Sequence, residues 1–235
     1  SEPWSSEAQT LNLVLKTLSI QWRPRPLYLH CHCRNKFMIR FLTIIAIFTT
    51  SPVWAKYERP SFDVVLKEDG LEIRDYASAI VVETQVFASR RDAAGEAFRS
   101  LFKYISGNNA ASLEIPMTSP VAQTLVGKGP DDVNDKWAIR FFLPSNLSVA
   151  KIPQPLQQDV NIVTLAAQRF ASVSFKGTQN DKKVSKYTAR LREFISQKGY
   201  EVSGEPVYAF YDPPFVPWFL RNNEILLPIQ KVALQ

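Results

Sequence analysis

His30, Cys31, His32 and Cys33 stand side by side, and they are the only histidines and cysteines in the 235 residues. Thiolates and imidazoles are the groups that hold zinc. Ligands this close together do not easily close a tetrahedral site, and no further histidine or cysteine exists to complete one. From Lys56 to Gln235 the chain has neither type, which excludes a Ser-His-Asp set there. Gly127-Lys128-Gly129 lacks the spacing of a phosphate loop. Carboxylates are left for acid–base work: Glu114, Asp212 and Glu224, where the fold buries them in a groove. Glu224 can equally pair with Arg221. The other conspicuous chemistry is apolar. Phe215, Val216, Trp218 and Phe219 stand among the prolines of 213–217. Loops run over the surface, so a loop this apolar covers something. It forms either one wall of a pocket or a lid on the core. The prolines hold it extended, and Arg221 after it offers a fork of donors suited to a carboxylate.

These residues need a scaffold. Leu71–Tyr76 and residues 79–87 are rich in β-branched residues and predict strands after the turn at Asp69-Gly70. Ser89 followed by Asp92 marks a helix start. Ala94, Ala97, Phe98, Leu101 and Ile105 recur at helical spacing, and Gly107 closes the helix. Strands over about 117–126 and 137–143 follow, joined by the polar loop 127–132. The second half predicts strands at 160–166 and 169–176. Asn180 or Asp181 then caps a helix with Val184, Tyr187, Leu191, Phe194 and Ile195 on one face, and Gly199 ends it. Strands near 207–211 and 225–229 finish the chain. The order ββαββ thus occurs twice. Leu101, Ile105 and Ser106 match Leu191, Ile195 and Ser196 at an offset of 90 residues, as Tyr104 matches Phe194. The expected fold is α+β, made of two duplicated ββαββ units about a pseudo-twofold axis. The halves cover about 62–143 and 156–235, with a connector over 144–155 and a groove between them.

Ile115-Pro116-Met117-Thr118-Ser119-Pro120-Val121, the paired asparagines after Gly107, Gly70-Leu71-Glu72-Ile73-Arg74-Asp75-Tyr76 and the segment Tyr208–Ile229 together resemble the SOUL/heme-binding protein family. The resemblance runs from about Tyr57 to the C-terminus. It implies a distorted antiparallel β-barrel flanked by two helices. It also implies a tetrapyrrole pocket between the first helix (90–106) and the loop 213–223. The implied contacts are Phe98, Leu101 and Phe102 on the helix, Met117, and Phe215, Val216, Trp218 and Phe219 on the loop. Arg221 would meet a heme propionate, with Arg74, Arg99 and Lys103 as weaker candidates. Phe98, Leu101 and Met117 can equally be core. Only Met117, tyrosines and lysines remain as iron ligands from Lys56 onward. The expected cofactor is therefore heme or a related tetrapyrrole without a strong axial protein ligand.

Met38-Ile39-Arg40, the apolar run 41–48 and Val53-Trp54-Ala55 have the parts of a secretory signal peptide, with cleavage before Lys56. A membrane anchor and a buried helix are the alternatives, although the run is too short to span a bilayer. Residues 1–37 would then be upstream sequence outside the mature protein, 38–55 the signal and 56–235 the binding domain. The whole chain carries a net charge of +6. Six basic and two acidic residues lie in 1–55, leaving 22 and 20 beyond it. That near balance, without a basic stripe, disfavours nucleic acid as a partner. The expectation is an exported, periplasmic or secreted monomer that carries or buffers a tetrapyrrole and is not an enzyme. Two other functions stay open. One is an effector-type domain for apolar or cationic small molecules over a buried Glu224 or Glu114. The other is a carboxylate-dependent hydrolase.

Overall fold

The computed structural model describes residues 57–129, 134–213 and 215–232. The His-Cys cluster and the predicted signal peptide lie outside them. The elements in order are β1 (Phe62–Glu68), β2 (Leu71–Tyr76), β3 (Ala79–Ala88), α1 (Ala93–Ile105), β4 (Val121–Lys128), β5 (Asp135–Phe142), a single 3-10 turn at Val149–Lys151, β6 (Val160–Leu165), β7 (Gln168–Lys176), α2 (Asp181–Gln197), β8 (Tyr200–Val202), β9 (Val207–Phe210) and β10 (Asn222–Lys231). This is an α+β fold with an antiparallel sheet in the order β1-β2-β7-β10-β9-β4-β5-β3-β6, and β8 pairing β10.

Side chains alternate across a strand, and the sheet uses both faces. Ile225, Leu227 and Ile229 of β10, Ile139 and Phe141 of β5, and Val173 and Phe175 of β7 belong to the core. They meet Ala97, Leu101, Tyr104 and Ile105 of α1, and Val184, Leu191, Phe194 and Ile195 of α2. The helix α1 packs on β3, β5 and β6, and α2 on β7, β8 and β10. The alternate residues of the same strands, Arg140, Phe142, Phe170, Leu226 and Pro228, line a cavity instead.

The expected barrel is not closed. Among the described residues β1 pairs only with β2, and β6 only with β3. Phe62 of β1 and Thr164 and Leu165 of β6 line the same cavity, so the two edges flank a seam without bonding across it. Val64 and Val65 sit exposed on β1, beside a shift of register at Val64/Leu66. A bulge there turns the edge away from further pairing.

The two motifs with the most distinctive sequences do local structural work. Gly107 ends α1 with φ +96°, a conformation that favours glycine. Asn109 is buried behind it. Its Nδ2 donates to the Tyr104 carbonyl at 2.9 Å and the Leu113 carbonyl at 2.7 Å, and its Oδ1 accepts from the Leu113 amide at 3.0 Å. Asn109→Ala is expected to cost about 2–4 kcal/mol in urea denaturation, because those buried backbone groups lose their partners. Asn109→Asp is expected to cost at least as much, since it places oxygen opposite two carbonyls. In Ile115–Val121, Ile115 is core, and the Thr118 hydroxyl donates to the Phe142 carbonyl at 2.6 Å. The Ser119 amide donates to the Glu58 carbonyl at 2.9 Å, and its hydroxyl to the Tyr211 carbonyl at 3.3 Å. Those bonds hold the segment outside the ladder, so β4 begins at Val121 and not near Met117 as the residue pattern predicts.

Arg90 and Arg91 stand just before α1. Both donate to Asp181, at 2.6 and 2.7 Å, and tie the start of α1 to the start of α2. Asn180 caps α2 by accepting from the Lys183 amide at 2.9 Å, the bond that a capping asparagine supplies.

Candidate functional site

The loop between β9 and β10 is built on its own hydrogen bonds. The Asp212 carboxylate accepts from the backbone and the side-chain amide of Asn222, closing the base. Within the loop the Val216 amide donates to the Pro213 carbonyl at 3.1 Å, and the Leu220 amide to the Pro217 carbonyl at 2.9 Å. The Arg221 Nε donates to the Val216 carbonyl at 2.8 Å. The Gly177 amide donates to the Arg221 carbonyl at 2.9 Å, which anchors the loop to the end of β7. With the backbone fixed this way, the large side chains turn outward. Phe215 is 76% exposed, Trp218 59%, Phe219 55% and Leu220 48%. Trp218 and Phe219 meet edge-on with centroids 5.7 Å apart. This is not a lid folded onto the core.

On α1 the predicted residues divide. Leu101 has no exposed surface and belongs to the core. Phe98 is half-buried, stacks on Phe102 at 5.6 Å and meets Phe141 edge-on at 5.4 Å. Phe102 is 47% exposed, and Arg99 and Lys103 are exposed on the same helix. Met117 is half-buried against the core. Among the described residues no ring contact joins the α1 pair to the Trp218–Phe219 pair.

Arg74 and Glu224 form a buried centre that their sequence separation hides. Glu224 is 2% exposed. Its carboxylate accepts from Arg74 Nη2 at 2.9 Å, from the Ser174 hydroxyl at 3.0 Å and from the Tyr211 hydroxyl at 2.6 Å. Arg74 also reaches Glu72 at 2.6 Å and Tyr76 at 3.0 Å. Arg74 is thus committed to this pair and not to a pocket rim, and Glu224 pairs with it and not with Arg221. Burial works against the guanidinium charge, but Glu224, Tyr76 and Glu72 hold its pKa above the ordinary value. Glu114, in contrast, is exposed.

Tyr76 is pushed up to about 12 by burial and by the Glu224 charge, and Tyr104 to about 12 by burial alone. Burial and Glu224 also raise Tyr211. An unfolded tyrosine ionises near 10. The native state therefore keeps protons that the unfolded chain gives up. Stability is whole below pH about 10 and falls as pH rises through the folded values. Denaturant midpoints across pH 9–12 are expected to show this fall, with a shallower slope for Tyr76→Phe.

The sheet face away from the helices holds a cavity of about 530 Å³. Register brings Glu83, Arg140, Ala122, Ala209, Glu224 and Ser174 into one row across six strands. The two alanines sit in the middle of the floor, between a polar pair at each end. Arg140 Nε donates to Glu83 at 2.7 Å, and Gln85 donates to the other Glu83 oxygen at 2.8 Å. Phe62, Tyr76, Leu125, Phe142, Phe170 and Pro228 supply apolar wall. None of the residues predicted for the site lies in this lining.

Among the described residues no group of three His, Cys, Asp or Glu is placed to hold a metal, and no helix is long and apolar enough to cross a membrane.

The fold is thus α+β, an antiparallel sheet with two helices that carries a surface loop of outward aromatics and a groove with mostly apolar walls. The chain belongs to the SOUL heme-binding protein family, whose profile matches residues 57–228. It is similar to Heme-binding protein 1 of Xenopus tropicalis, with 27% identity over 167 residues that cover 67% of this chain and 87% of that protein. Its fold is similar to the EcmrR C-terminal domain, with TM-score 0.54 and 11% identity over 69% of this chain and 98% of that one. A hydrolase from Listeria innocua shares the fold at TM-score 0.52 and 10% identity, covering 71% and 94% of the two chains.

Proposed function

We propose that this protein binds heme or a related tetrapyrrole on the apolar face offered by the β9–β10 loop and α1, and serves as a carrier or buffer. The observation that carries this is the loop itself. Its backbone is pinned by internal hydrogen bonds while Phe215, Trp218 and Phe219 stay in water. Clustered aromatics held outward mark a binding surface, and a flat macrocycle is an apolar body of the right kind. The family and the relatives named Heme-binding protein 1 support the ligand class. Phe98, Phe102, Met117 and Val216 extend the face, and Leu101 acts only by packing beneath it. Arg221, which braces the loop, and the exposed Arg99 and Lys103 are the cations for the propionates.

With no histidine or cysteine beyond residue 55, ferric heme is held by burial and propionate pairing, with solvent or a tyrosine as a weak axial ligand. The Met38–Ala55 pattern supports export, and the protein acts as a monomer. Two ββαββ halves also fit the strand path. Exchanging β2 with β6, β7 with β3, β10 with β5 and β9 with β4 leaves the order β2-β7-β10-β9-β4-β5-β3-β6 unchanged. Effector-type binding of a cation over Glu224, and hydrolysis by Glu224, both need a carboxylate free to act. Arg74, Ser174 and Tyr211 already hold it.

The test of this reading is the spectrum of the hemin complex in parent and Met117→Leu proteins. The expected spectrum is that of weakly ligated ferric heme, identical in the two. The substitution is expected to change stability by less than about 1.5 kcal/mol, because volume is conserved. A shifted Soret band in Met117→Leu would assign the thioether to the iron.

A further inference from the structure

We infer that the groove on the sheet face away from the helices is a second ligand site, separate from the aromatic loop, and that it takes a hydrocarbon body ending in one carboxylate. The cavity holds about 530 Å³, within the range of small-molecule sites. Its walls are mostly apolar, from Phe62, Leu125, Phe142, Phe170 and Pro228. Its floor is opened by Ala122 and Ala209, side by side in the central row. A body without polar groups is what such a lining accepts.

Charge then selects the end group. Both carboxylates of the floor row are already satisfied. Glu224 holds Arg74, Ser174 and Tyr211, and Glu83 holds Arg140 and Gln85. A cationic ligand finds no unpaired acid there. The cations are less fully used. Arg140 lines the groove and spends its Nε on Glu83, while its two terminal nitrogens have no hydrogen bond among the described residues. Arg59 lies at the mouth, 4.6 Å over the Tyr211 ring. It has no acidic partner within 4.0 Å among the described residues. Glu205, also in the lining, is exposed on the turn before β9. Thr124 and Pro206 mark that end of the groove, since the Thr124 hydroxyl donates to the Pro206 carbonyl at 3.1 Å. Arg59 belongs to the opposite end, where Tyr211 follows β9. A carboxylate therefore enters at the Arg59 end, where an exposed guanidinium offers the fork of donors it prefers, and the hydrocarbon runs along the alanine floor, with the terminal nitrogens of Arg140 beside Ala122 as the second source of donors.

The experiment is titration calorimetry of the full chain with decanoate, below its micelle-forming concentration, beside decanol and decyltrimethylammonium. Decanoate is expected to saturate at one equivalent and the other two to bind at least about tenfold more weakly, the effect of one charge-assisted contact. Arg59→Gln is expected to weaken decanoate several-fold. The double variant Glu83→Gln/Arg140→Gln keeps the buried pair neutral and is expected to remove the preference over decanol. Saturating hemin is expected to leave decanoate binding in place. Equal or tighter binding of decyltrimethylammonium overturns the assignment, as does absence of saturation with decanoate. Unchanged decanoate affinity in Arg59→Gln, an exposed substitution that leaves the fold intact, overturns the charge argument even where the double variant fails to fold. Displacement of decanoate by one equivalent of hemin would merge the two sites into one.

Discussion

Trp218→Ala is expected to weaken hemin binding by about 1–3 kcal/mol, from the apolar contact that the indole makes with the macrocycle. That is roughly a five- to 150-fold rise in Kd. The side chain is 59% exposed and meets mainly Phe219, so the folded protein does not depend on it. Surface substitutions away from buried features usually change stability little, and the melting temperature is expected to stay close to that of the parent. The two readouts separate the roles of the loop. A variant that folds normally and binds hemin as tightly as the parent would show that the loop takes no part in binding, and the pocket assignment would fall with it.

The largest stability effect is expected at Arg74. Arg74→Met removes the cation from a carboxylate that is 2% exposed, leaving only the Ser174 and Tyr211 hydroxyls on it. Breaking a buried ion pair from one side costs about 3–5 kcal/mol, because the remaining charge is desolvated without compensation. The pair itself contributes less than that. Arg74→Met/Glu224→Leu is therefore expected to recover most of the loss, since apolar replacements of a buried pair are often neutral. Urea denaturation of the single and double variants reads this directly. A loss below about 1 kcal/mol in Arg74→Met would mean that Glu224 does not rely on the guanidinium.

The helices were legible because their signals are local. Apolar residues recur at helical spacing through both, Asn180 caps α2, and Gly107 and Gly199 take positive φ at the ends. The central strands were legible from their β-branched runs. The edge strand β6 was legible too, but β1 and β8 were not. Val64 and Val65 stand adjacent and exposed on β1, so no alternation marks it, and β8 is only three residues long. The apolar loop announced itself, because four large side chains among prolines have no place in an ordinary turn.

Pairing was the harder part of the site. Arg221 is only three residues from Glu224 in sequence, yet it turns back to the Val216 carbonyl. Glu224 instead meets Arg74 because β7 lies between β2 and β10 in the sheet. A partner set by strand order leaves no spacing signal. The groove is hidden for the same reason. Its floor row takes one residue from each of six strands and exists only once their registers are fixed. The open seam between β1 and β6 likewise depends on a bulge, which the residue pattern of β1 does not disclose.

The central claim is that this chain binds one tetrapyrrole at a defined site, and titration of the 235-residue chain with hemin at the Soret band tests it most directly. The account predicts a saturable change with its break at one equivalent of hemin. A linear, unsaturated rise, the signature of hemin partitioning onto apolar surface, would contradict it.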